Sequence, residues 1–180
     1  AAVTFLIASL LYTACAAADN PLHASAASCS AAATAAVIFS YFSKNIQGLE
    51  ELINDIGKIK FKTKLVFVIF VDDPKILRFV DKNLDFLKKN KLNLLLLDTF
   101  KKNNNDLTSY CELKYLDSFI KKCAIKKIKV GLAGRLRFEH IEEFKPLKPY
   151  LVGFRSAVCM DNKRNIICKN KLKNLLNNFR

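Results

Sequence analysis

The sequence predicts an α/β protein built on a parallel sheet. Two observations carry this. Apolar, β-rich runs such as "KLVFVIFV" (64–71) and "LNLLLLD" (92–98) are nearly unbroken by polar residues, as strands covered on both faces require. Between them lie segments with apolar residues every three or four positions, the spacing of one helix face. A third observation orders the pieces. The two kinds of segment alternate to the end of the chain, and such alternation implies parallel strands joined by helical crossovers.

Taken in order, "AVIFSYF" (36–42) is a short β-branched and aromatic strand. "NIQGLEELINDIGK" sets Ile46, Leu49, Leu52, Ile53 and Ile56 on one helix face. After "KLVFVIFV", Asp72, Asp73 and Pro74 close the strand and open a helix, because proline suits a first helical position. "KILRFVDKNLDFLKKN" continues as one helix, and "LNLLLLD" is the next strand. "ELKYLDSFIKKCAI" is a helix, "IKVGLAG" a strand, "RFEHIEEFKPL" a short helix and "YLVGFR" a strand. "KNKLKNLLNNFR" closes the chain as an amphipathic helix. With "VTFLIAS" and the alanine-rich run behind it, six β–α units result. Six units fit an open doubly wound sheet or most of an eight-stranded barrel. No GxGxxG follows the first strand, so a dinucleotide site lacks its fingerprint.

The first 43 residues differ from the rest. They hold one formal charge, Asp19, in a chain of net charge +14, which leaves +15 on the remainder. Three readings stay open for this segment: a secretory leader without its positive n-region, a strand and alanine-rich helix of the same domain, or a break in the coding frame. Its apolar run is too short to span a bilayer, and no membrane partner is expected. The basic remainder suits nucleic acid or a solvated exterior around a phosphate-using site. The second is favoured, because no basic motif with stacking aromatics of a known nucleic-acid module is present. Six cysteines without CxxC spacing and only two histidines, His23 and His140, point to free thiols, no metal site, no cofactor and a cytoplasmic location.

The candidate chemistry lies at strand ends. Asp98 and Thr99 follow an apolar run, with Lys101 and Lys102 behind them. A carboxylate so placed can act as acid or base or orient a lysine, or it can cap a loop. "GLAGR" brings Gly131, Gly134 and Arg135 to the next strand end, and "GFRSA" brings Gly153, Arg155 and Ser156 to the one after. Glycine lets backbone approach a ligand, and arginine can clamp phosphate through two hydrogen bonds. Two such ends in adjacent units match the phosphate site that a barrel builds from its last strands. His140, among Glu139, Glu142 and Glu143, is expected on the surface, and Cys159 as a small buried thiol.

In order and spacing, "LLLLDTFKK", "VGLAGRLRFEHI" and "YLVGFRSAVC" resemble the (5-formylfuran-3-yl)methyl phosphate synthases of methanofuran biosynthesis, best over residues 64–168. The resemblance implies a TIM barrel and a lyase that condenses two molecules of glyceraldehyde 3-phosphate through a lysine Schiff base. It gives Asp98 an acid–base role and makes Lys102 a further active-site lysine. Gly134, Arg135, Gly153, Arg155 and Ser156 fall where substrate phosphate binds. The family has a small residue where Arg135 stands and glycine where Ser156 stands. The early "D-[VL]-K-[ND]-P" motif with the Schiff-base lysine does not occur here. Phe39 occupies the place of the second lysine, and Lys44, the nearest amine, lies past that strand. The implied protein is one domain, 1–180, a barrel lacking about its first two strands. It takes a small phosphorylated aldehyde, and no turnover is expected of this chain alone; the alternative is a non-catalytic phosphate-binding α/β module. Exposed strand edges would invite association between copies.

Overall fold

A computed structural model describes residues 36–40, 46–60, 64–101, 105–160 and 166–178. The expected strand "VTFLIAS", His23 and Lys44 lie outside them. Five parallel strands form one sheet: β1 (Ala36–Ser40), β2 (Lys64–Phe70), β3 (Leu94–Asp98), β4 (Lys129–Leu132) and β5 (Leu151–Val152). The helices between them are α1 (Ile46–Lys58), α2 (Pro74–Lys82), α3 (Leu84–Lys89), α4 (Leu107–Tyr110), α5 (Leu113–Ile125) and α6 (His140–Phe144); α7 (Arg155–Val158) and α8 (Lys169–Asn177) follow β5.

The strand order is β1-β2-β3-β4-β5, without reversal. A doubly wound sheet changes direction at a switch point. Here every crossover advances one strand the same way. Since such crossovers are right-handed, the helices share one face. Burial agrees. Leu65, Phe67, Ile69 and Val71 join Leu95, Leu97, Val130, Leu132 and Val152 in one core with Leu49, Ile53, Val80, Leu116 and Phe119 of the helices. The alternate positions point the other way. Val66, Val68 and Phe70 are buried there too, which is why β2 reads as an unbroken apolar run.

On this second face Val68, Leu96, Gly131 and Leu151 lie side by side across four strands. Gly131 is therefore an interior strand residue and not a turn beside a ligand. A Cβ there would come within 2.7 Å of Leu151 Cδ1 and 3.0 Å of Leu96 Cδ1. The two leucines fill the space that glycine leaves.

Helix boundaries follow local chemistry. Asp73 caps α2, its carboxylate accepting from Lys75 N at 3.0 Å, with Pro74 in the first turn. The stretch 75–90, expected as one helix, breaks at Asn83. Its side-chain amide donates to the Phe79 carbonyl at 2.8 Å, and its backbone N–H turns to the Val80 carbonyl. Asparagine offers the backbone a local alternative to continuing the helix. "YLVGFR" is also shorter than expected: only Leu151 and Val152 are strand, and Arg155 begins α7. α6 likewise occupies only part of "RFEHIEEFKPL".

Gly131→Ala should lower unfolding stability by about 1–3 kcal/mol through overpacking, measured as a shifted urea midpoint at unchanged m-value.

Candidate active site

The carboxyl ends of β2 to β5 are held level by hydrogen bonds that run one residue past the strands. Val71 N donates to the Asp98 carbonyl at 2.9 Å, Ala133 N to Leu97 O at 2.8 Å, and Gly153 N to Leu132 O at 2.8 Å. Continuing the register sets Asp98, Ala133 and Gly153 abreast on the second face, over the layer that holds Gly131.

Asp98 ends β3, half-buried, on the face away from Leu95 and Leu97. One carboxylate oxygen accepts from Thr99 N at 2.7 Å. Its in-register neighbour Phe70 meets Phe100 with ring centroids 5.4 Å apart. The carboxylate is thus half-buried, with one backbone amide fixed on it.

Gly134 is built against Thr99. Its φ is +104°, and a Cβ would lie 3.0 Å from Thr99 Cγ2 and 3.1 Å from Thr99 N. Both the conformation and the contact require glycine here. Its carbonyl accepts from Leu107 N at 3.0 Å, tying this turn to the start of α4. Arg135 follows with φ +53°, a region few non-glycine residues occupy. Two successive residues of positive φ turn the chain sharply at the end of β4. Arg155 and Ser156 are the first residues of α7, half-buried and two positions beyond Gly153. Asp98 and Gly134 are thus joined through Thr99, Gly153 is one strand further, and Arg155 and Ser156 extend the same edge. Lys102 lies outside the described residues.

Sequence reasoning missed one organising residue. Asp72 accepts from Phe100 N and from Lys101 N, each at 2.9 Å. It clamps the segment after Asp98 from the end of the neighbouring strand. Its sequence signal was only that "FVDDP" closes one strand as "LLDTF" closes the next.

His140 corrects its expected surface position, for it is 5% exposed. Its Nδ1 accepts from Arg137 N at 2.9 Å, so the ring proton of the neutral form is on Nε2. Nε2 faces Asp106 at 3.6 Å, and the ring stacks on Phe144. Asp106 caps α4, accepting from Thr108 Oγ1, Ser109 Oγ and Ser109 N. Burial disfavours its charge. The hydrogen bonds from Thr108 and Ser109, with His140 beside it, outweigh that and hold its carboxyl below the usual range.

Two of the four described thiols are buried deeply enough to stay protonated. Burial raises Cys111 to about 11 and Cys123 to about 12, so both are protonated near neutrality. Cys159 is buried beside its bridge partner Ile167. Among the described residues no three His, Cys, Asp or Glu side chains gather as metal ligands, and no helix is long and apolar enough to cross a membrane.

The arrangement defines an α/β protein whose polar groups converge at the carboxyl edge of a consecutively ordered parallel sheet, where such folds hold their ligands. The profile of the 4-HFC-P synthase family matches residues 12–176, and the chain belongs to that family. It is 31% identical over 74 residues to the (5-formylfuran-3-yl)methyl phosphate synthase of Archaeoglobus fulgidus, covering 41% of this chain and 32% of that protein. With the enzyme of the same name from Methanothermobacter thermautotrophicus it shares 30% identity over 91 residues, 48% of this chain and 39% of that one. The matched segments thus span 32% and 39% of these relatives' length.

Two outcomes are expected. Asp72→Ala should lower stability by about 1 kcal/mol, since it strips two exposed amides of their acceptor, and should speed hydrogen exchange at Phe100 and Lys101. Asp106 has a depressed folded pKa, so its contribution is complete above the unfolded value of about 3.9 and fades as pH falls through the folded value. Asp106→Asn, which still caps α4, should flatten the acid limb of a urea-midpoint-against-pH curve.

Proposed function

We propose that this chain supplies the phosphate-gripping and acid–base end of a (5-formylfuran-3-yl)methyl phosphate synthase acting in methanofuran-type cofactor synthesis. The observation that carries the proposal is the convergence of Asp98, Thr99, Gly134, Arg135, Gly153, Arg155 and Ser156 on one sheet edge in a member of this family. The five strands are one arc of an eight-stranded barrel on this reading. Their consecutive order and one-sided helices support it.

In the condensation of two glyceraldehyde 3-phosphate molecules, a lysine Schiff base would make the enamine nucleophile. Asp98 would then move protons at the substrate, and the family resemblance makes Lys102 a further active-site lysine. Arg155 and Ser156 would hold a substrate phosphate by charge-assisted hydrogen bonds, and the Gly134–Arg135 turn would close over it. The amide of Gly153 already serves Leu132, so Gly153 would act by leaving room. The backbone of β1 is in register with β2 at Phe39 and Phe67. Phe39 is the residue that the family resemblance aligns with a catalytic lysine, and phenylalanine forms no imine. This chain would therefore bind phosphate and not condense aldehydes.

With glyceraldehyde 3-phosphate and borohydride, the 180-residue chain should form no furan product and no reduced lysine adduct by mass spectrometry. Orthophosphate binding should weaken about tenfold in Arg155→Ala, the scale of one lost charged contact. Turnover or a trapped lysine would overturn the reading of Phe39. Unchanged phosphate affinity in Arg155→Ala would overturn that of the phosphate site.

A further inference from the structure

The opposite end of the sheet carries a second concentration of charge. The amino ends of β2, β3 and β4 open on a cleft of about 490 Å³. Lys60, Lys64, Lys91, Lys127 and Lys129 line it, and no lining residue is acidic. We propose that this cleft is a separate anion site for a compact polyphosphate, a small molecule carrying two or more phosphoryl groups.

Helix termini alone do not account for the lysines. The C-termini of α1, α3 and α5 point here, and each carries roughly half a negative charge. Together they offset fewer than two of the five ammonium groups. The aspartates of the helices before and between these strands pair with other lysines: Asp55 with Lys58 at 2.8 Å, Asp81 with Lys122 at 2.9 Å and Asp85 with Lys126 at 2.7 Å. Among the described residues none of the five cleft lysines meets a carboxylate.

Backbone geometry adds an independent sign. α3 and α5 end in the same motif. Leu92 N donates to Leu87 O and Lys91 N to Lys88 O, while Ile128 N donates to Cys123 O and Lys127 N to Ala124 O. This is the Schellman closure, in which the left-handed residue is usually glycine. Here it is Lys91 at φ +66° and Lys127 at φ +56°. At both places a cation facing the cleft occupies a conformation that glycine adopts with less strain.

Two of the ammonium groups are also positioned. Lys91 Nζ donates to the Gly57 carbonyl at 2.8 Å, and Lys129 Nζ lies 4.1 Å from the centre of the Tyr150 ring. The cleft has the volume of a small-molecule site. Its charges converge on one concavity and do not run in a stripe, the pattern that a nucleic-acid backbone would need.

The probe is inorganic triphosphate, titrated calorimetrically into the full chain at low salt, with orthophosphate alongside. Triphosphate should bind more tightly than orthophosphate. The double variant Lys91→Gly/Lys127→Gly suits both left-handed positions, so its Tm should equal or exceed that of the parent. Its triphosphate affinity should fall by about tenfold or more, while Arg155→Ala should leave that affinity unchanged. This last arm separates the cleft from the phosphate site proposed at the other end. Absence of triphosphate binding, undiminished affinity in a folded double variant, or an equal loss in Arg155→Ala would overturn the proposal. So would tighter binding of a short duplex oligonucleotide.

Discussion

The parallel hydrogen-bond ladder is the constraint on which the rest depends. It continues past the strands at Val71, Ala133 and Gly153, each amide donating to a carbonyl of a neighbouring strand. Parallel sheets occur almost only where both faces are covered, and on the second face Val66, Val68, Phe70 and Leu151 are buried. The ladder levels the strand ends, so that residues 28 positions apart, such as Asp72 and Phe100, can bond directly. It also restricts what the ends can do. Amides of Ala133 and Gly153 that bind neighbouring strands are not donors for an anion. The proposed phosphate site therefore rests on side chains, Arg155 and Ser156 above all, and on the room left by glycine.

The two ends of the sheet divide their charge differently. At the carboxyl end, carboxylates organise backbone: Asp72 holds the segment after β3, Asp98 its own following amide, and Asp106 the first turn of α4. These bonds fix loop shape before any ligand arrives, which is what a site with little reorganisation requires. At the amino end, lysines gather without carboxylates around an open cleft. The excess of lysine over acid in the sequence is thus concentrated in part at one place in the fold.

Much of the fold was legible in sequence, for identifiable reasons. The strand 64–70 and the helices 46–58 and 113–125 have strong periodicity or unbroken apolar character, and both signals are local. The break at Asn83 was not legible, because periodicity continues through it while a side-chain hydrogen bond ends the helix. Nor were the four-residue helices α4 and α7, too short to show a period. In α4 the capping box uses Ser109 where glutamate or glutamine is usual. His140 read as a surface residue because its sequence neighbours are acidic. Its burial depends on Phe144 one turn on and on Asp106, more than thirty residues earlier. At the site, the strand-end positions of Asp98, Gly134 and Gly153 followed from alternation alone. The contact that makes Gly134 obligatory, against Thr99, is long-range and has no sequence signature.

The most direct test of the central claim is an amide chemical-shift map of the isotope-labelled chain during titration with orthophosphate. The account predicts saturable shifts at Gly134–Arg135 and at Arg155–Ser156, the carboxyl edge of β4 and β5. Absence of shifts at that edge, with changes confined to other surfaces, would contradict it.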